Sequence, residues 1–140
     1  MASNMADKGE GNRWDLKNVA GGLIDIEFIA QTLQLLHGGA QPQALDTNTG
    51  LALDKLAAAG VLSRGDHRAL LQAWQLYTAL SQVIRFCVGG NLDPAKASDA
   101  GKALLCRIGD CEDFEELSSM IAVTQDKTRA IFRKLIVKAA

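Results

Sequence analysis

The sequence has few aromatic residues, few prolines, almost no net charge and no long apolar run. Two prolines in 140 residues leave long stretches in which nothing interrupts a helix. No apolar run approaches the roughly 18 residues that a membrane-spanning helix requires, and residues 1–13 lack the apolar core of a signal peptide. A net charge of -1 gives no broad attraction for nucleic acid or for anionic membranes. We therefore expect a cytoplasmic chain with no nucleic-acid partner and no membrane partner.

Residues that hold metals or act as nucleophiles are also scarce. The cysteines Cys87, Cys106 and Cys111 form no C-x-x-C pair. His37 and His67 have no Cys, Asp or Glu at metal-ligand spacing. We expect reduced, buried thiols and no metal site. The G-x-S-x-G, Walker A and G-x-G-x-x-G motifs are absent as well, so the sequence offers no ready hydrolase or nucleotide-binding loop.

Apolar residues recur at helical spacing in five segments, and no segment alternates in the manner of a strand. The length suffices for one domain with a real core, and short loops between helices favour antiparallel neighbours. We therefore predict an all-α fold, a single up-and-down helical bundle over residues 14–140. Residues 1–13 are predicted to be a disordered tail, partly a cloning leader. The predicted helices cover about residues 22–36, 50–59, 64–88, 98–108 and 112–138.

Polar residues and glycines mark where the second and third helices begin and end. Thr47 or Thr49 is placed to cap the second helix, and Gly60 is expected to end it in the left-handed conformation. Ser63 is placed as the N-cap of the third helix, with Asp66 three residues on.

The last helix has the most regular apolar period in the chain. Its predicted seam consists of Phe114, Leu117, Ile121, Thr124, Thr128, Ile131 and Leu135. The basic residues of its second half indicate a solvated face that complements the helix dipole. In the third helix, Trp74 and Tyr77 share a face with Leu70, which favours core positions for both rings.

The segment 14–31 is the most informative part of the chain. It places Lys17, the pair Gly21 and Gly22, and two carboxylates at the entry of a helix-length apolar stretch. Adjacent glycines allow close backbone approach, and a helix N-terminus offers unpaired N–H groups and partial positive charge to an anion. These features indicate a phosphate-facing or interface-facing edge. The same spacing also fits a glycine-punctuated helix start whose acids lie in solvent.

The first predicted helix carries two apolar stripes. At roughly 100° per residue, the first stripe contains Leu23, Ile26, Ile29, Ala30, Leu33 and Leu36, and the second contains Ile24, Phe28 and Leu35. A helix that is apolar on two sides is buried on two sides. This helix is therefore either central in its bundle or packed on the bundle with one stripe and on a second domain with the other.

The two carboxylates of this helix are expected to have separate roles. Asp25 and Glu27 are two residues apart, so on a regular helix they point about 200° from one another and do not clamp one metal ion together. Asp25 lies in the first turn, where the helix dipole favours an acid. Glu27 belongs with Gln31 on a polar strip.

The residues Asp15–Lys17 and Gly21–Gln31 resemble the segment that opens the helical domain of glutamine synthetase adenylyltransferases. Those enzymes attach AMP to a tyrosine of glutamine synthetase and also remove it, and each half has a nucleotidyltransferase domain followed by a helical domain. Asp25 ahead of Ile-Glu-Phe is similar to the second, C-terminal half. The resemblance is weaker over residues 51–84 and rests on helix order alone beyond Asn91.

The resemblance implies a parent enzyme that uses ATP and magnesium and is controlled by glutamine and a PII-type signal protein. In related enzymes a Gly-Ser loop and an Asp-x-Asp pair hold the magnesium, and neither occurs here. The chain is therefore expected to have no catalytic residue and no bound cofactor, and to close one side of a catalytic cleft. The implied cleft and interdomain interface contains Lys17, Gly21, Gly22, Asp25, Glu27 and Gln31, with Lys17 near phosphate.

Two alternatives stay open at the level of sequence. The chain also fits a free-standing helical module that only binds other proteins, and it fits the related helical domain of the enzyme that uridylylates PII. An upstream Gly-Ser plus Asp-x-Asp domain would exclude the first, and downstream regulatory and hydrolase domains would favour the second.

Overall fold

The computed structural model describes residues 13–37, 48–88 and 98–137, and within these ranges it contains five α-helices and no strand. They are α1 (Leu23–His37), α2 (Thr49–Ala58), α3 (Arg64–Val88), α4 (Asp99–Ile108) and α5 (Phe114–Phe132). A π-helical turn, Arg133–Val137, follows α5. The predicted all-α bundle is confirmed. The tail expected over residues 1–12 lies outside the described residues.

The residues predicted to cap the second and third helices are confirmed, except at the start of α2. Ser63 caps α3, because its hydroxyl accepts a hydrogen bond of 3.2 Å from the Asp66 N–H, and Gly60 has the expected left-handed φ of +80°. The cap of α2 is Asn48, whose side-chain oxygen accepts from the Leu51 N–H at 3.0 Å. Thr49 is instead the first helical residue, and Thr47 lies outside the described residues.

The long helix α3 forms the centre of the bundle, since it packs against each of the other four described helices. Its inner face contributes the fully buried Leu70, Tyr77 and Leu80. Trp74 is half-buried and packs on this core. Its ring lies against α2 at Gly50, where an added Cβ would come within 2.8 Å of the indole. The predicted core position is confirmed for Tyr77, whereas Trp74 lies at the edge of the core.

The seam of α5 is confirmed at Leu117, Ile121, Thr128 and Ile131, which are buried. The α-helix predicted to reach Lys138 ends at Phe132 instead and continues as the π-helical turn. Leu135 and Ile136 within this turn both pack against the core. The π-helical turn thus extends the contact between the chain and the core beyond the end of α5.

None of the helices in the described ranges combines the length and the apolar composition needed to cross a membrane.

Candidate functional site

Residues 13–22, here called the pre-helix loop, fold into successive hydrogen-bonded turns ahead of α1. The Val19 N–H donates to the Asp15 carbonyl at 3.0 Å, and the Leu23 N–H donates to the Leu16 carbonyl at 2.8 Å. Trp14, Leu16 and Val19 are all buried. The loop is therefore part of the domain core and fixes the direction in which α1 begins.

The glycine pair permits close approach within the domain itself. Gly21 has φ +82°, and a Cβ there would lie 2.1 Å from the carbonyl oxygen of Gln125 on α5. A Cβ on Gly22 would lie 2.3 Å from the Leu16 carbonyl oxygen. Both glycines are buried. They let the pre-helix loop close on itself and press against the backbone of α5.

Asp25 on α1 binds both the pre-helix loop and α5 through one carboxylate oxygen. Its Oδ2 accepts a hydrogen bond of 2.6 Å from the Gly21 N–H and one of 3.0 Å from Nη1 of Arg129 on α5. The acid thus satisfies a backbone donor in the tight turn ahead of α1 and pairs with a cation. The same guanidinium lies 4.5 Å from the centre of the Phe132 ring, which holds Arg129 against α5.

Gln125 is the second link between the pre-helix loop and α5. Its buried side-chain amide donates to the Arg13 carbonyl at 2.8 Å and accepts from Nη1 of Arg13 at 3.0 Å. A buried amide with both ends bonded fixes the position of the chain that it bonds. Arg13, which the sequence placed in the tail, thus contacts the bundle.

Neither Gln125 nor Arg129 was predicted from the sequence to be a partner of the motif. Gln125 lies four residues after Ile121 and three before Thr128, so its spacing on the seam was a usable signal. Arg129 was assigned to a solvated basic face, and nothing in its local pattern distinguishes it from Arg133. Its partner is 104 residues away in the chain.

The six motif residues fall into two groups. Gly21 and Gly22 are buried and Asp25 is half-buried within the domain, whereas Lys17, Glu27 and Gln31 are exposed on its surface. Asp25 and Glu27 diverge, as expected for a helix that is regular from Leu23 onward. The described residues contain no group of three or more His, Cys, Asp or Glu side chains that could hold a metal ion.

The two apolar stripes of α1 have different environments. Ile26, Ile29, Ala30 and Leu33 of the first stripe are buried, whereas its last member, Leu36, is exposed. The second stripe faces outward, with Ile24, Phe28 and Leu35 exposed by 43%, 48% and 86%. Phe28 contacts Phe132, their ring centres 5.9 Å apart. In this domain α1 is therefore packed on one side and carries an apolar surface on the other.

The described cysteines are poor nucleophiles. Cys106 and Cys111 are free, and burial raises the pKa of both thiols. Nearby carboxylates raise the pKa further, Asp113 at Cys106 and Glu116 at Cys111. A raised pKa reduces the thiolate fraction, and the thiolate is the reactive form. The side chain of Cys87 lies outside the described part of the structure.

Comparison with known proteins extends the likeness well beyond the motif. A bifunctional glutamine synthetase adenylyltransferase/adenylyl-removing enzyme of Xanthobacter autotrophicus is 44% identical over 135 residues, which is 96% of this chain and 14% of that protein. The protein of the same description from Rhodopseudomonas palustris strain HaA2 is 45% identical over 93% of this chain and 13% of its own length. One from Bradyrhizobium strain BTAi1 is 40% identical over 94% of this chain.

These relatives confirm the resemblance drawn from the pre-helix loop and α1. The chain spans about one seventh of their length, 14% in the first case. A family model described as GlnD PII-uridylyltransferase matches residues 3–136. This chain therefore belongs to the GlnD PII-uridylyltransferase family, and it is similar to a short segment of bifunctional glutamine synthetase adenylyltransferase/adenylyl-removing enzymes.

Proposed function

We propose that this chain is the helical accessory domain of an enzyme that transfers AMP from ATP to a tyrosine of glutamine synthetase and also removes it. The observation that carries the proposal is the 44% identity over 96% of the chain to an enzyme of that description. The parent enzyme would act in the cytoplasm, in the regulation of nitrogen metabolism.

In this proposal the chemistry belongs to a nucleotidyltransferase domain of the same parent chain. Adenylyl transfer needs carboxylates that hold magnesium on the triphosphate and offset the charge developing at phosphorus. The Gly-Ser loop and Asp-x-Asp pair that would supply them are absent from this sequence. ATP and magnesium would therefore bind to the partner domain, and glutamine synthetase and a PII-type protein would be the protein partners of the whole enzyme.

The domain-facing surface proposed for this chain is the outer side of α1. Its exposed apolar stripe, Ile24, Phe28 and Leu35, is the kind of surface that a globular domain buries against a neighbour. Glu27 and Gln31 would lie within the same contact. Lys17 would lie at its edge, near the phosphates of the bound nucleotide.

The buried and half-buried motif residues would hold the pre-helix loop and α1 in the positions that this surface requires. Gly21 and Gly22 allow the pre-helix loop to lie against α5, and Asp25 anchors the first turn of α1 to Arg129. Together they set the position of Lys17 relative to Glu27. In this way all six motif residues contribute to the proposed interface, three by contact and three by placement.

A second candidate is the helical domain of a PII uridylyltransferase, which is favoured by the description of the matching family model. The two candidates differ in the protein that is modified and in the nucleotide that is used. A parent enzyme that labels glutamine synthetase from ATP supports the first, and one that labels PII from UTP supports the second.

The proposed function is tested by measuring AMP transfer to glutamine synthetase with ATP and magnesium. We expect none from the isolated chain and ready transfer from the parent enzyme. Leu35→Asp in the parent should lower transfer about tenfold, because it places a charge in the proposed contact. Leu51→Asp on α2, where the leucine is 52% exposed, is the matched control and should leave transfer unchanged.

The same two variants should leave the melting temperature of the isolated chain nearly unchanged, since both side chains are exposed. AMP transfer by the isolated chain, free of full-length enzyme, would refute the accessory role. Equal activity of the two parent variants would instead refute the domain-facing role of the second stripe.

A further inference from the structure

The pre-helix loop and the C-terminal part of α3 form the walls of an open cleft of about 240 Å³. Its floor is apolar and is formed by Trp14, Leu16 and Ile84. Trp14 is held in place by a parallel stack on Phe114, with ring centres 5.0 Å apart. The floor is therefore a fixed surface and part of the core.

Two cations lie along the edge of this cleft, Lys17 from the pre-helix loop and Arg85 from α3. Both are exposed, and neither forms an ion pair with any residue that the structure describes. Asp15 is the one acid among the described residues that line the cleft, and its carboxylate accepts hydrogen bonds from the backbone N–H and side-chain amide of Asn18. The formal charge of these described lining residues is thus +1.

We propose that this cleft binds an acidic side chain, a glutamate or aspartate carried by an apolar segment of a partner polypeptide. The apolar floor would receive the aliphatic stem and a neighbouring apolar residue. The carboxylate would lie between Lys17 and Arg85, whose planar guanidinium suits bidentate binding of a carboxylate.

Size and charge favour a carboxylate over a nucleotide. Pockets for small ligands commonly measure about 300–1,000 Å³, and this cleft is smaller. A single carboxylate balances a lining of +1, whereas a polyphosphate would bring excess negative charge close to Asp15. The proposal assigns Lys17 to a partner carboxylate, whereas the function proposed above places this residue near nucleotide phosphate. The titrations with AMP and phosphate described below separate these two ligands, and the rest of the proposed function does not depend on this cleft.

The test is a titration of the isotope-labelled chain with short peptides, followed by NMR of its backbone amides. The probe is acetyl-Leu-Glu-Leu-amide, and acetyl-Leu-Gln-Leu-amide is the uncharged control. We expect saturable shifts at Lys17, Asn18 and Arg85 with the glutamate peptide, and about fivefold weaker binding of the glutamine peptide. Inorganic phosphate and AMP are titrated in parallel and should bind more weakly at these amides.

Two variants of α3 complete the experiment. Arg85→Gln should weaken binding of the glutamate peptide about fivefold, whereas Arg64→Gln, at the opposite end of the same helix, should leave it unchanged. Because both arginines are exposed, amide dispersion should show that both variants fold.

Three results would overturn the proposal. Equal binding of the two peptides would reduce the site to an apolar groove. Tighter binding of AMP or phosphate at the same amides would make it a phosphate site. The absence of saturable shifts at these amides would show that the cleft takes no acidic segment.

Discussion

At the scale of single residues, chemically similar neighbours in the motif have different tasks. Asp25 and Glu27 are both acids on α1, but Asp25 is paired with Arg129 and the Gly21 N–H, whereas Glu27 is exposed. The two-residue spacing on a regular helix is the reason. Substitution of Asp25 would therefore disturb the domain itself, and Glu27 is the better reporter of an external contact.

Glu27→Gln tests whether α1 faces another domain. In the isolated chain the change should alter the free energy of unfolding by less than about 0.5 kcal/mol, since the side chain is exposed. In the proposed parent enzyme the carboxylate would be partly buried with a donor, and its loss should lower adenylyl transfer about tenfold. Thermal unfolding and AMP incorporation measure the two effects.

Glu115→Gln is the matched control for this prediction, because Glu115 is an exposed acid in the first turn of α5. It should leave both measurements nearly unchanged. Strong destabilisation of the isolated chain by Glu27→Gln, together with full activity of the parent, would make Glu27 an internal structural residue and exclude the proposed role of α1.

At the scale of secondary-structure elements, the helices could be predicted from the sequence but their contacts could not. The predicted starts of α1 to α4 agree with the structure to within one residue, since capping residues and apolar period are local signals. The attachment of the pre-helix loop to α5 joins residues more than 100 positions apart, such as Arg13 and Gln125. No local sequence pattern specifies such a pair. The attachment of the loop to α5 nevertheless determines which motif residues remain exposed.

Gly21→Ala measures how tightly the pre-helix loop is packed on α5. Gly60→Ala is its control, because Gly60 has almost the same φ, +80° against +82°, with nothing within 4 Å of an added Cβ. The control should cost about 1 kcal/mol for the left-handed backbone alone. Gly21→Ala should cost at least about 3 kcal/mol, because the added carbon also overlaps the backbone of Gln125.

The free energy of unfolding of both glycine variants is measured in denaturant. Equal losses would show that the pre-helix loop can move away from α5 at no cost, and the close packing described here would then be wrong.

At the scale of the whole molecule, the bundle is organised around α3, and Tyr77 lies at its centre. The side chain is fully buried, and its hydroxyl forms no hydrogen bond of good geometry with any residue that the structure describes, although Thr128 is close by. Burial raises the pKa of Tyr77 well above its ordinary value of 10.0, and Thr128 offsets only part of this rise. Since the phenolate cannot be accommodated in the core, the protonation of one residue is linked to the folding of the whole chain.

This linkage predicts how stability changes in alkali, and the chain contains a single tyrosine with which to follow it. Because the folded pKa of Tyr77 exceeds the unfolded one, the neutral phenol stabilises the folded state fully below about pH 10. Above that pH the stabilisation is lost at up to about 1.4 kcal/mol per pH unit until the folded pKa is reached. Tyrosinate absorbance of the folded chain should therefore stay low through pH values at which the urea-unfolded chain is already ionised, and should rise together with loss of helical circular dichroism.

Tyr77→Phe is the control, and its free energy of unfolding should fall less steeply over the same pH range. Lysines titrate equally in both proteins, so the difference between the two pH profiles isolates the contribution of Tyr77. Ionisation at the ordinary pKa with the helices intact would mean that water reaches this hydroxyl, and that the centre of the bundle is less tightly closed than its packing indicates.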